Sequence, residues 1–247
     1  MPSLTSLAMA VDPVMLATEA GFQCDPWQTR MLRSDARRQL LCASRQSGKS
    51  TVTAIKAVHT AVFVPESLIL LLSPTLRQSS ELFKRCMDVY RSVDDLVPPV
   101  NESALRIELK NSSRILSLPG AESTVRGYSP TMIIIDEASR VEDELYLAIR
   151  ASLAVTNGKL ILLSTPFGTR GFFYEEYKRR DQWEYYAIKA SDCPRISQEF
   201  LEEEKATLGE WWFKQEYEVQ FLDSQGAAFR SEDLARVIQS STEAWEL

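Results

Sequence analysis

The stretch Leu40 to Thr51, LLCASRQSGKST, restricts this chain to a narrow group of folds. An apolar run suited to a buried strand passes through a short polar loop into Gly48-Lys49-Ser50, and Lys49–Val62 then sets Val52, Ile55, His59 and Val62 on one helical stripe. Strand, loop and helix in that order aim backbone N–H groups and a helix N-terminus at one point, an arrangement that holds a phosphate. The pattern G-x-x-x-x-G-K-[ST] is met except at its first position, where Ala43 stands in place of glycine and must keep to a permitted φ. A chance Gly-Lys-Ser at a helix start is the plain alternative, and the strand before it argues against chance. Ser44, Arg45, Gln46, Ser47, Gly48, Lys49, Ser50 and Thr51 are therefore expected to wrap the phosphates of ATP. Lys49 would reach the β- and γ-phosphate oxygens, and Ser50 would set its hydroxyl on Mg²⁺.

Elsewhere apolar runs alternate with amphipathic segments, which predicts an α/β fold: a mostly parallel central sheet flanked by helices. Strands are expected at Gln39–Ala43, Leu68–Ser73, Met132–Ile135 and Lys159–Ser164, and further helices over Thr75–Val93 and Asp143–Ala154. Leu105–Leu109 and Arg114–Leu118, on either side of the polar Lys110–Ser113, read as an antiparallel hairpin inserted beside the main sheet. Trp183–Lys189 reads as one more strand. From Ser197 to Phe221 the chain turns helical and charged, which suits a small lid. The organisation expected is an N-terminal extension over residues 1–24, a core over 25–190, a helical lid over 191–225 and a polar tail over 226–247.

A second acidic signal follows the strand Met132–Ile135, which runs into Asp136-Glu137. In open α/β sheets the strand ends face the ligand crevice. Asp136 would hold Mg²⁺ through its water shell, while Glu137 would orient and deprotonate the water that attacks the γ-phosphate. On the plainer alternative, the adjacent carboxylates would instead be a helix N-terminal cap for the following segment. The third strand ends in Ser164-Thr165-Pro166, whose hydroxyls would sense the γ-phosphate and pass on its loss, or would simply close the strand in a turn. Upstream, Asp25-Pro26-Trp27-Gln28 offers an amide to read an adenine edge, with Trp27 as apolar contact or as an ordinary buried tryptophan.

Composition excludes several other classes. Four cysteines (Cys24, Cys42, Cys86, Cys193) lack CxxC spacing, and the single histidine, His59, cannot complete a Cys/His zinc cluster. Reduced thiols in a cytosolic setting are expected. The apolar segment from Leu4 to Leu16 is interrupted by Asp12 and Pro13 and has no basic region before it, so it does not read as a signal peptide. No apolar run approaches the ~20 residues that span a bilayer, so no membrane partner is expected. A formal charge of −6 argues against nucleic acid wrapped over the whole surface and leaves room for local basic patches. Arg106, Lys110 and Arg114 are candidates to neutralise DNA phosphates, although such charges are usually only solvated.

SRQSGKST, IIIDEA, STPFGTRGFFYEEY and the upstream PWQ together resemble the ATPase domain of the large terminase subunit of tailed bacteriophages, from about Asp25 to about Asp233. That resemblance implies a P-loop NTPase fold of the ASCE type that hydrolyses ATP with Mg²⁺ to drive double-stranded DNA into a procapsid. It further implies a homo-oligomeric ring on a portal, a small terminase subunit as partner, and the cytoplasm of an infected bacterial host. Arg45 matches an arginine that the family carries early in the phosphate loop, thought to contact the nucleotide. Physically, a guanidinium there would fork onto γ-phosphate oxygens or pair with a carboxylate to order the loop. Arg126, in Val125-Arg126-Gly127-Tyr128, resembles the arginine supplied to a neighbouring subunit's ATP. It precedes a strand whose five residues, at ~3.3 Å each, put its start roughly 16 Å from the phosphates, which favours contact in trans. In the family a nuclease domain follows; here Gly226 to Asp233 resembles the approach to it, and no nuclease activity is expected of this chain.

Two other functions compete. A helicase-like ATPase of superfamily two shares a glutamine motif, an Asp-Glu-Ala motif and a hydroxyl motif, but needs a second RecA-like domain for which this chain is too short. A DNA-assembly module that uses nucleotide only for structure would need no water-activating carboxylate at Glu137.

Overall fold

The computed structural model describes residues 3–94, 96–121 and 125–223. Its frame follows from the runs RQLLCA, LILLLS, MIIID and KLILLS, which are apolar at successive positions and so must be covered on both faces. They form β1 (Arg38–Ala43), β2 (Leu68–Ser73), β6 (Met132–Asp136) and β7 (Lys159–Ser164). With β3 (Pro99–Ser103), β4 (Arg106–Leu109), β5 (Arg114–Pro119) and β8 (Glu184–Ile188) they make an eight-stranded sheet in the order β3-β4-β5-β2-β6-β7-β1-β8. From β5 to β8 every neighbour is parallel, and β3, β4 and β5 pair antiparallel at one edge. The expected hairpin is therefore present as β4 and β5, continuous with the main sheet through β5 and β2 and extended by β3.

Alternate residues of the central strands enter two separate cores. Leu41, Ile69, Leu71, Ile134 and Leu163 face one side, where α3 (Pro26–Arg33), α4 (Lys49–Phe63) and α5 (Leu76–Arg91) contribute Met31, Val52, Ile55, Leu82 and Phe83. Leu40, Leu70, Ile133, Ile135 and Leu162 face the other, where α6 (Asp143–Thr156) and α7 (Phe172–Lys178) contribute Ile149, Leu153 and Phe173. α4 is buried nearly all round instead of along one stripe, with Ala54, Ala57 and Ala61 inside as well.

Its cover is supplied by the segment expected to be an extension. α1 (Leu4–Val11) starts at Ser3, whose hydroxyl accepts from the Ser6 N–H at 3.0 Å, and α2 (Pro13–Glu19) starts at Asp12, which accepts from the Val14 N–H at 3.0 Å. Met9, Leu16 and Ala17 are buried in the first core. Lys56 on α4 ties it instead to the C-terminal end of α3, donating to the carbonyls of Met31 and Ser34 at 2.7 Å each and of Leu32 at 3.3 Å. Burial of that ammonium lowers its pKa to about 8.

Beyond β8, α8 (Gln198–Glu216) is broken at Gly209, where φ 78° and ψ 164° leave the helical region. Ala190, Leu201, Phe213 and Tyr217 form a small third cluster. A non-helical strap, residues 217–223, then returns to the second core, where Phe221 lies 4.4 Å from the Tyr177 ring and 5.1 Å from that of Tyr174. The expected tail at 226–247 lies outside the described residues.

Candidate nucleotide site

Because β1, β6 and β7 are adjacent and parallel, their C-terminal ends bring three loops to one place. The loop after β1 turns sharply: Gln46 has φ 57° and Gly48 φ 87°, so Gly48 enters α4 from the left-handed region that glycine tolerates. A Cβ on Gly48 would also come within 2.7 Å of Gln28 Nε2. Ser47 Oγ donates to the Ser44 carbonyl at 2.9 Å, and the Lys49 ammonium lies 3.4 Å from the same oxygen. Lys49, Ser44 and Ser47 are buried, whereas Arg45 and Gln46 are exposed. Thr51 is one turn into α4 and lines an adjacent cavity.

Ser50 Oγ donates to Asp136 Oδ2 at 2.9 Å, tying the first turn of α4 to the end of β6. Burial raises the Asp136 carboxyl above its ordinary range, opposed by the charge of Lys49 and by the Ser50 hydrogen bond. Glu137 sits in the left-handed region, φ 52° and ψ 41°, a conformation that costs a residue other than glycine on the order of 1–3 kcal/mol. Burial raises its carboxyl too, with Lys49 pulling the other way and Asp136 adding to the rise. Glu137 also occupies the N-cap position of a short 3-10 helix, Ala138–Arg140, with no capping hydrogen bond from its side chain, whereas α6 begins only at Asp143, with Glu142 as its N-cap residue.

The third loop is coupled to the second, since Ser139 Oγ and Ser164 Oγ are 2.7 Å apart. Ser164 and Thr165 are both buried. Farther along, Asp143 Oδ1 accepts from the Phe172 N–H at 2.6 Å, and the Arg140 guanidinium stacks 3.9 Å from the Phe167 ring.

Beside the phosphate loop lies a cavity of about 590 Å³ lined by Phe22, Gln28, Thr51, Ile55, Pro194 and Arg195 among others. Gln28 Oε1 accepts from the Asp25 N–H at 2.9 Å, a reciprocal cap at the start of α3, which turns Nε2 toward Gly48. Trp27 instead packs against the first core, as an ordinary interior tryptophan does. Arg195 was not foreseen. Its guanidinium forks onto Asp25 at 2.8 Å and 2.8 Å and reaches the Ser47 carbonyl at 3.3 Å, so one side chain from beyond β8 braces both the glutamine turn and the phosphate loop. Arg45 likewise has a remote partner, Glu216, at 2.6 Å. Neither partner is signalled by spacing, because each pair is about 170 residues apart.

Arg126 is exposed on the crossover between β5 and β6, next to the buried Val125. Lys110 and Arg114 are exposed around the β4–β5 turn and Arg106 at the β3–β4 turn, all well along the sheet order from the phosphate loop, and Arg114 stands across from Glu108 in the ladder.

With β7 interposed between β1 and β6, a phosphate loop after β1 and two acids after β6, the chain has the fold of a P-loop NTPase of the ASCE type. The family described as terminase large subunit, T4likevirus-type, N-terminal, matches residues 40–236. The chain belongs to that family. It is 23% identical over 252 residues to the large terminase subunit of Thermus phage G20c, covering 87% of this chain and 52% of that protein. The chain thus spans about half the length of the curated relatives it matches. In fold it is similar to the large terminase ATPase domain of Thermus phage P74-26, with a TM-score of 0.73, 23% identity, and 83% of this chain and 97% of that one covered. The large terminase of a thermophilic bacteriophage, solved in complex with ATP-γ-S, is similar at a TM-score of 0.64 and 14% identity, over 76% of this chain and 48% of that one.

Proposed function

We propose that this chain is the ATP-hydrolysing part of a large terminase, and that its turnover of ATP drives double-stranded viral DNA into a procapsid. The observation that carries the reading is the Ser50–Asp136 hydrogen bond at 2.9 Å with Lys49 buried beside it, since it gathers a hydroxyl, a carboxylate and an ammonium where a triphosphate and its metal would meet. Among the described residues no group of three or more His, Cys, Asp or Glu gathers to hold a metal unaided. That suits Mg²⁺, which is bound through one or two protein oxygens together with phosphates and water. Ser50 and Asp136 would hold it, and bound there it would neutralise charge on the β- and γ-phosphate oxygens.

In this reading Lys49 binds the phosphates, Glu137 takes a proton from the attacking water, and Ser164 and Thr165 pass the change in the γ-phosphate position through Ser139 to the acidic loop. The base would enter the cavity beside Gln28 and Arg195. Assembly as a homo-oligomeric ring on a portal, action with a small terminase subunit, and a place in the infected host's cytoplasm are part of this proposal. Duplex contact through Arg106, Lys110 and Arg114 belongs to the same proposal.

The test is Mg²⁺-dependent release of phosphate from ATP, and a chain that releases none under any assembly condition refutes it. Lys49→Ala is expected to weaken ATP–Mg²⁺ binding by about a hundredfold, because it removes the buried cation nearest the phosphates. Isothermal titration with a non-hydrolysable analogue reads this, and wild-type affinity would contradict it. Ser50→Ala is expected to raise the Mg²⁺ concentration at half-maximal turnover by about tenfold, and an unchanged metal titration would count against its ligation.

A further inference from the structure

Resting on the nucleotide-site reading, we infer that the cavity beside the phosphate loop takes guanine as well as adenine, so that the substrates of this chain are purine nucleoside triphosphates as a class. The direction of the Gln28 amide carries the inference. A glutamine reads adenine by giving an N–H to N7 and taking the 6-amino N–H on its oxygen, and that pairing turns guanine away because two oxygens then face each other. Here the oxygen is already committed: Gln28 Oε1 accepts from the Asp25 N–H at 2.9 Å. A backbone N–H can only donate, so the oxygen must stand on that side, and the amide cannot be turned over while the cap holds.

What remains for a ligand is a donor, since among the described residues Gln28 Nε2 has no protein hydrogen-bond partner. A second donor meets it. Measured from the point where a Cβ on Gly48 would stand, Gln28 Nε2 is 2.7 Å away and Arg195 Nη2 is 3.4 Å away. A guanidinium has five N–H groups to give. Arg195 spends two on Asp25 at 2.8 Å each and one on the Ser47 carbonyl at 3.3 Å, which leaves two. Asp25 is the one acidic side chain lining the cavity among the described residues, and both of its oxygens are held by that fork. The side chains fixed in direction therefore offer N–H groups. Such a pair suits the two acceptors of guanine, O6 and N7, and suits the N7 of adenine.

The rest of the wall does not choose between purines. Phe22, Val52, Ile55 and Pro194 give apolar contact that any base face satisfies, and about 590 Å³ leaves room for either purine. A pyrimidine has no N7 and forfeits the donor contact. The cavity thus separates purine from pyrimidine and barely separates adenine from guanine. A guanine seated there would bring its triphosphate to the same Lys49, Ser50 and Glu137. Water then adds to the γ-phosphorus, the bond to the β-bridging oxygen breaks, and GDP and phosphate leave.

The test is titration calorimetry of the whole chain with non-hydrolysable analogues of ATP, GTP and UTP, together with phosphate release from the three nucleotides. Expected are affinities for the two purine analogues within about threefold of each other, a UTP analogue weaker by about tenfold, the size of one lost hydrogen bond to a buried donor, and GTP turnover within about threefold of that of ATP. Gln28→Glu keeps an acceptor for the Asp25 N–H and replaces the donor by a second acceptor, so it should shift the ratio toward adenine by about tenfold. Arg195→Ala should shift it the same way, because it removes a donor and frees the Asp25 oxygens to accept from a 6-amino group. A mere loosening of the loop would lower both purine affinities together and leave their ratio alone. Discrimination against the GTP analogue beyond threefold in the unaltered chain, a comparison that needs no variant to fold, would overturn the inference. So would a UTP analogue bound as tightly as the purines, since the base would then go unread, or a purine ratio unmoved in both variants. If the unaltered chain binds none of the three, the nucleotide-site reading falls and takes this inference with it; ATP bound and turned over alone sinks the inference and leaves that reading standing.

Discussion

Glu137→Gln is expected to bind ATP as tightly as wild type and to turn it over ~10²–10⁴-fold more slowly, the range lost when a positioned general base is removed. The amide keeps the shape of the side chain and its place beside Asp136, and loses the ability to accept a proton. Single-turnover kinetics separates the two effects, and an affinity loss as large as that of Lys49→Ala would contradict the role. Two further consequences follow from burial, which raises the Glu137 carboxyl above the ordinary glutamate range. First, the acid limb of the turnover profile should lie above that range, because the base works only when deprotonated. Second, the folded state holds this proton to higher pH than the unfolded chain does. Stability from this group is present below the ordinary glutamate pKa and is lost as pH rises through the elevated value. Near neutral pH the buried charge is a cost, so Glu137→Gln should raise Tm slightly while slowing turnover. A lower Tm would show that the carboxylate is compensated in the fold.

Arg126→Ala is expected to leave ATP binding intact and to lower turnover by ~10³–10⁵-fold in the assembled protein, the contribution of an inserted arginine. Its position carries the argument. Arg126 is exposed on the crossover from β5 to β6, and β5 stands four places from β1 in the sheet order, so the crossover starts well to the side of the phosphate loop. A side chain so placed is better disposed toward the site of an adjacent copy than toward its own. Turnover per molecule should therefore rise with protein concentration. Mixing Arg126→Ala with Glu137→Gln should restore part of the activity, since some boundaries then combine an intact glutamate from one copy with an intact arginine from the other. A mixture as inactive as its components, under conditions where copies assemble, rules out action in trans.

How much of this was legible beforehand depended on the range of the interactions. LILLLS and KLILLS were read to the residue, because a strand buried on both faces is apolar throughout and ends where polarity returns. Gly48-Lys49-Ser50 and Asp136-Glu137 were equally readable, each being a local pattern whose purpose lies in its own few residues. PVNES was not recognised as β3, since it has almost nothing apolar and is a strand only because β4 lies beside it. The helices of residues 4–19 were read as an extension: their apolar positions were visible, but the faces of α4 they cover were not. The Gln28 amide was read as facing an adenine edge, although the spacing Asp25 to Gln28 is that of a reciprocal helix cap and already commits its oxygen. Glu216 and Arg195 could not be found at all, because a contact across most of the chain leaves no mark on either neighbourhood.

The polar character of β3 has a consequence for how copies can meet. The outermost strand of a sheet offers unpaired N–H and C=O groups to any other strand that approaches, and runaway stacking follows where such an edge is long and apolar. Here the edge is short and wholly exposed, begins with a proline, slips in register between Pro99 and Asn101, and has its Glu102 carboxylate tied to Arg91. Each of these discourages strand addition. A second copy approaching this edge would have to be recognised through loops and side chains, so contact there would not grow into a continuous β-structure.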